Sequence, residues 1–187
     1  MKHPSIRHLF DYWNGRRGRR VAPARSDIDP RAIRHVLADT FILSGDPRRG
    51  YQFRLAGTRV CSLFGRELKG EAFLDLWSLA SRDEVGTMLA TVADEAVGVV
   101  ADAVGMSATG AALSLELLLL PLSYGRCDER LLGAVAPNAP PLWLGTHPLS
   151  DLRIETHFNN VGSAVVENAQ HRSIAIAWAL AARFGRL

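Results

Sequence analysis

Two cysteines, Cys61 and Cys127, are all that 187 residues contain, and they stand far apart. That excludes a disulfide framework and offers no metal-ligand spacing. Long apolar runs are missing too. The longest leucine block, Leu117 to Leu120, is cut by Pro121, so no stretch reaches the length of a membrane-crossing helix. Residues 1–12 carry His3, Arg7, His8 and Asp11 where a secretory signal would need an apolar centre. These absences predict a cytoplasmic protein of a reducing, bacterial compartment.

Catalytic vocabulary is also lacking. The chain has no His-x-Glu-x-x-His, no Gly-x-Ser-x-Gly, no phosphate-binding loop and no Gly-x-Gly-x-x-Gly. The adjacent acids Asp94-Glu95 and Asp128-Glu129 point in different directions on a helix or strand and read as solvated. An enzyme is therefore not expected. No internal repeat or low-complexity linker interrupts the chain.

What is present is an ordinary globular composition, 48% hydrophobic and 22% charged, enough for the core of one domain. The net charge of +3 is unevenly placed: residues 1–70 hold 15 Lys/Arg against 6 Asp/Glu, and residues 71–187 hold 7 against 13. Such asymmetry suits an anionic partner or contact between unlike halves.

Ile6, Leu9, Phe10 and Trp13 recur at helical spacing after Pro4, predicting a first helix that Asn14-Gly15 ends. The run Arg16-Arg17-Gly18-Arg19-Arg20 follows. Asp27 or Asp29 can cap a second helix with Pro30 in its first turn and Ile33, Val36 and Leu37 buried. Residues 40–44 and 51–57 read as a hairpin around turn chemistry at 45–50. In the second strand Tyr51, Phe53 and Leu55 alternate onto one face. Gly57 ends that strand, and Val60, Leu63 and Phe64 mark a one-turn helix closed by Gly65. A longer helix spans about 81–97, with Ser81 and Glu84 as a capping box. Strands are expected at 98–107, 112–123 and 130–136.

The leucine strand is apolar on two sides. Leu113, Leu115, Leu117 and Leu119 face one way, while the other face runs Ser114, Glu116, Leu118, Leu120 and Leu122. Such a sheet needs cover on both faces. The helices between the second and third strands suit the inner face. The outer face is left for the N-terminal helix or for a second subunit.

The order of elements resembles a PAS domain, and the wording is closer still to a PAS-like family of small alphaproteobacterial regulatory proteins. The residues that carry the resemblance begin with Asp27-Ile28-Asp29-Pro30, Phe41-Ile42-Leu43 and the block from Phe53 to Thr58. Cys61, the segment Leu63 to Leu68, Gly70, Phe73 and Leu76-Trp77 continue it, followed by Leu120-Pro121-Leu122, Leu132-Gly133 and Trp143-Leu144-Gly145. The resemblance covers roughly residues 8–146. It implies an α+β fold, a five-stranded antiparallel sheet with helices on one face and a pocket between them, in a protein used for signal transduction. It names no ligand. The organisation expected is N-terminal helices with an arginine-rich linker over 1–37, a PAS-like domain over 38–146 and a C-terminal helical extension over 147–187.

Candidate sites follow. Phe53, Leu55, Leu63, Phe64, Trp77, Met88 and Leu117 are expected to line the inner pocket or to fill it as core. Ile6, Leu9, Phe10, Trp13, Leu118, Leu120 and Trp178 form a candidate dimer or partner surface, Trp178 within the apolar segment Ile174 to Ala182. Arg16, Arg17, Arg19 and Arg20 are candidate anion contacts, and nucleic-acid binding through them is the alternative function. No aromatic residue interleaves them for base stacking. No metal site is expected. The resemblance does not extend to flavin: PAS relatives that bind it through a cysteine carry that residue in an Asn-Cys-Arg segment on a later helix, whereas Cys61 lies directly after the second strand between Val60 and Ser62. Haem is not indicated either, because the long helix holds no histidine. The expected function is a non-enzymatic sensor acting through protein contacts, with the inner pocket open to a small apolar ligand, as a homodimer with a signalling protein partner.

Overall fold

The structure is a computed structural model that describes residues 1–46, 50–123, 130–140 and 146–161. Three α-helices, α1 (Pro4–Arg17), α2 (Thr58–Phe64) and α3 (Leu79–Asp94), accompany six strands. The strands are β1 (Thr40–Asp46), β2 (Gly50–Ala56), β3 (Gly98–Ser107), β4 (Ala112–Leu122), β5 (Arg130–Pro137) and β6 (Leu149–Val161). They form one antiparallel sheet in the order β2-β1-β5-β4-β3-β6. Hairpin links and helices gathered between β2 and β3 give the α+β, PAS-like arrangement, with six strands rather than five.

The sixth strand corrects the sequence reading, which expected helix from 147 onward. β6 pairs with β3 along its length, but three register shifts leave Ser150, Glu155 and Asn160 as extra residues in the ladder. Each shift breaks the period-two alternation by which a strand is recognised. Leu149, Leu152 and Ile154 therefore share a face at uneven spacing.

The segment 27–37 is the second correction. No α-helix forms there. Short 3₁₀ turns at Arg25–Asp27 and Leu37–Asp39 flank i→i+3 turns, with Ala32 N–H on Asp29, Ile33 on Pro30 and Val36 on Ile33. The Asp29 side chain accepts the Arg31 N–H at 2.9 Å, closing the first turn locally. Ile33 and Val36 are buried as expected, whereas Leu37 stays 36% exposed.

Helix α3 starts at Leu79, with Ser78 as N-cap, so the expected capping box does not form. Ser81 Oγ instead accepts the Ile154 N–H of β6 at 3.2 Å, and Glu84 meets His157 Nδ1 at 2.9 Å. Both side chains serve the unforeseen strand. Helix α1 also runs past Gly15 and ends at Gly18, whose positive φ of 56° glycine adopts without strain.

One β-bulge re-aims β2. Ile42 pairs with Leu55 and Leu43 with Phe53, so Arg54 is the extra residue. Phe53 and Tyr51 point inward as expected, but Leu55 turns to the outer face beside Ile42 and is 52% exposed. At the end of β2, Gly57 donates its N–H to the Thr40 carbonyl at 2.8 Å. A Cβ there would overlap the carbonyl oxygens of Leu37 and Ala38.

Two apolar clusters lie on opposite sides of the sheet. Inside, α2, α3 and the 73–77 turn pack on Phe41, Leu43, Leu115, Leu117 and Leu119. Outside, Ile6, Leu9 and Trp13 of α1, with Ile28, Ile33 and Val36, cover Leu118, Leu120, Leu132 and Ala134. Of the two covers left open by the sequence, this chain supplies its own. Trp13 also donates Nε1–H to the Pro121 carbonyl at 2.8 Å. β3 has ended by that level of β4, so the carbonyl has no strand on that side.

Trp13→Ala should therefore lower unfolding stability by about 3–5 kcal/mol in urea titration. Phe10, only half-buried, should lose clearly less on the same change. A Trp13→Ala cost below about 0.5 kcal/mol, the range of exposed substitutions, would contradict the docking of α1.

Candidate functional site

The inner face is closed by its own side chains. Phe53, Leu63, Phe64, Trp77, Met88 and Leu117 are all buried in the inner cluster. Phe41, Phe53 and Phe73 stack within 5.5–5.6 Å of each other, and Trp77 follows Phe73 at 5.8 Å. Leu55, the seventh residue expected there, is on the other side of the sheet because of the Arg54 bulge. Trp77 Nε1 is buried and has no hydrogen-bond partner among the described residues, a donor whose desolvation costs about 1–3 kcal/mol. Cys61 is buried, its sulfur 3.9 Å from the Ala56 carbonyl and 3.8 Å from Glu67 Oε2. Those are weak thiol contacts inside a packed wall.

The expected partner surface is consumed within one chain. Ile6, Leu9, Trp13, Leu118 and Leu120 are at most 1% exposed, packed against one another across the outer face, while Phe10 lies at its margin. Exposed apolar residues lie elsewhere, Leu79 on α3 and Phe158 on β6 among them. Trp178 lies outside the described residues.

The arginine run folds back on α1 instead of projecting as a comb. Arg16 lies over the Tyr12 ring and Arg17 over the Trp13 ring, each at 5.2 Å. Arg17 also donates from Nε to Asn14 Oδ1 at 2.8 Å, and Arg20 pairs with Asp27 at 2.7 Å. Arg19 is exposed. Cations in the last turn of a helix meet its partial negative charge. The Arg20 hydrogen bond, then that from the Ala24 amide, holds the Asp27 carboxyl below its ordinary value. Their contribution is thus present above the unfolded value near 3.8 and fades as pH falls through the lower folded one.

Two features were not singled out in the sequence. The first is an acidic latch. Glu116, 1% exposed, sits among leucines on β4, directly across from Asp102 on β3. Its Oε1 accepts the Lys2 N–H at 2.7 Å and its Oε2 accepts the His3 N–H at 2.7 Å. Lys2 Nζ reaches Asp102 at 2.7 Å, a contact that raises the Lys2 pKa above its ordinary value. Two like charges side by side on a sheet repel, and the start of α1 supplies the donors that offset this. A lone glutamate within an apolar strand face was the signal available in the sequence.

The second is an outer groove of about 270 Å³ beside α1's layer. Ile42 and Leu132 form its floor, Ile28 and Ile33 one wall, and Leu55 the other. Arg25 stands at its margin. Below the groove, Asp39, 2% exposed, takes a two-pronged hydrogen bond from Arg59 at 2.5 and 2.6 Å, tying α2 to the 37–39 turn. That contact raises the Arg59 pKa further above its ordinary value. Among the described residues no group of three metal-ligating side chains converges, and no helix is long and apolar enough to cross a membrane.

Glu116→Ala should destabilise the fold by about 1–3 kcal/mol and speed amide exchange over α1, measured by denaturation and deuterium uptake. Glu116→Gln, which keeps one acceptor, should lose less. Equal losses with unchanged exchange over α1 would count against the latch.

The family model PAS_5, described as a PAS domain, matches residues 1–136, from the latch through β5. No curated protein matches. Among solved structures, the PAS domain of an HTR-like protein from Haloarcula marismortui is similar at 16% identity, covering 54% of this chain and 85% of that one, with a TM-score of 0.41. An RNA-binding light-oxygen-voltage receptor is similar at 13% identity over 79% of this chain and 36% of its own, also with a TM-score of 0.41. With the family match spanning well over half of the residues, the chain belongs to the PAS_5 family of PAS domains, whose members suggest a sensory or signalling role.

Proposed function

We propose that the protein is a non-enzymatic sensor or regulator in signal transduction that acts through protein–protein contacts, with the outer layer as its responsive part. The observation that carries this reading is the way α1 is held. It forms a separate layer on an apolar sheet face, with hydrogen bonds to the sheet at both ends, Lys2 and His3 on Glu116 and Trp13 on Pro121. A layer so attached presents its outward side, Asp11 included, to a partner. Displacing it exposes Leu118 and Leu120, so a signal at the sheet becomes a change at the surface. The apolar lining of both faces supports binding over catalysis. The folded-back arginines give the nucleic-acid reading no added support.

A homodimer belongs to the same reading. With the α1 residues buried, we place its interface on β6, the end strand among the described residues, beyond its bridge to Trp77 at Leu152, where Phe158 is 62% exposed. Edge strands with apolar exposure favour pairing with another chain.

The partner reading is tested with a photo-crosslinking residue at Asp11 on α1 or at Asp83 on α3, in cells expressing the chain at its natural level. Discrete adducts with another protein should arise from position 11 and not from 83. No adduct, or the same set from both sites, removes the reading. Light scattering tests the dimer: twice the chain mass is expected, falling to one chain mass in Phe158→Asp. A single-chain mass for the unaltered protein rules the dimer out.

A further inference from the structure

We propose that the outer groove between the 25–39 segment and the β1–β2 corner is a binding site for a small amphipathic anion, an alkyl or acyl chain of medium length ending in a carboxylate. Three independent features of the groove converge on this ligand class.

The first is shape and lining. The groove encloses about 270 Å³ and is bounded mainly by aliphatic side chains. At ~30 Å³ per water-sized group, it holds about nine non-hydrogen atoms. The inner face is packed with Phe41, Phe53, Phe73 and Trp77, aromatic where the groove is aliphatic.

The second is the exposure of its lips. Leu55 is 52% and Leu37 36% exposed, and both line the groove, one from β2 and one from the 25–39 segment. The exposure of Leu55 is produced by the bulge. A regular β2 would send this residue inward with Phe53, whereas the extra Arg54 sends it outward. Bulges that re-aim one side chain are concentrated near functional sites. An apolar occupant buries both leucines at once, recovering about 25 cal/mol for each Å² of apolar surface removed from water.

The third is charge. Arg25 is half-buried at the margin, its backbone N–H fixed on the Ser123 carbonyl at 3.1 Å. Its Nη1 makes a long hydrogen bond of 3.4 Å to the Ile28 carbonyl. Among the described residues no carboxylate pairs with it, in contrast to Arg20, Arg59 and Arg66, which meet Asp27, Asp39 and Glu71. Arg31 and Arg34 lie in the same segment, whose acids are Asp29 and the already paired Asp27 and Asp39. A planar guanidinium beside apolar walls is suited to a carboxylate through paired hydrogen bonds. A cationic ligand is disfavoured there, and a neutral one leaves the guanidinium unused.

The site also has a route to the surface. Its wall is tied to α1 by the Asp29 N–H on Tyr12 Oη at 2.8 Å, and through Arg20, which pairs with Asp27 and donates to the Arg16 carbonyl of α1 at 2.8 Å. This relay rests on the sensor reading above, whereas binding itself does not.

Calorimetry on the full chain with octanoate, 1-octanol and octylammonium tests the site. Octanoate should bind one per chain, about tenfold tighter than octanol, the scale of one charge-assisted hydrogen-bonded pair, with octylammonium weakest. Arg25→Gln should bring octanoate and octanol within about twofold of each other. Leu55→Asp should weaken octanoate at least about tenfold, and because Leu55 is exposed its thermal midpoint should hold. Leu79→Asp, at an exposed leucine on α3, should change nothing. Equal octanoate and octanol affinity in the unaltered chain, or equal losses at Leu55→Asp and Leu79→Asp, would overturn the site. Deuterium uptake over α1 separates the two ideas. Altered uptake with octanoate supports site and relay together; binding with unaltered uptake keeps the site and removes the relay.

Discussion

A carboxylate buried among leucines must be hydrogen-bonded or it destabilises whatever encloses it. Glu116 occupies such a position on β4, with Asp102 as its cross-strand neighbour. Its needs are met by the backbone amides of Lys2 and His3, just ahead of α1, while the Lys2 ammonium pairs with Asp102. The sheet is apolar on the same face beyond this acid pair, so the layer that satisfies Glu116 is also the layer that removes Leu118, Leu120 and Leu132 from water. Polar and apolar demands thus select one docking position for α1, and the rest of the outer layer is strung from it.

From that position the chain turns at Gly18 and runs along 25–39, laying Ile28, Ile33 and Val36 on the sheet before entering β1. The segment remains a series of turns because its ends are both committed. Arg25 is held on Ser123 at the end of β4, and Asp39 is gripped by Arg59. It bridges the sheet without filling every space beneath it. The groove is the space left where the Arg54 bulge swings Leu55 out toward this bridge. Fold and candidate site therefore share one origin, a cover that is tight over β4 and β5 and loose over the β1–β2 corner.

Legibility followed the range of the interaction. Local chemistry read well: the hairpin, the short helix between Gly57 and Gly65, the three following strands and the double-sided leucine pattern are where residue types place them, and α3 forms at 79–94 in place of 81–97. Phe53, Leu63, Phe64, Trp77, Met88 and Leu117 are inward, since each lies in a regular stretch whose period is undisturbed. Leu55 and the whole of β6 were misread for one common reason. A bulge adds a residue on one strand in response to its neighbour, and nothing in the bulged strand's own alternation announces it. Ser81 and Glu84 looked like a helix cap because their true partners, Ile154 and His157, lie far along the chain.

The sequence by itself determined an α+β order of elements, which resembles a PAS domain in its motifs, and a sheet that needs two covers. The order and the double cover are properties of composition and period, carried by each segment alone. Tertiary structure decided that the chain's own α1 is the outer cover, that β6 closes the sheet, that the arginine run turns back on its helix, and that a groove opens beside Arg25. Each of these depends on which distant groups come to lie opposite one another. That choice is made by satisfying buried charge and apolar area together, and no single segment holds enough information to make it.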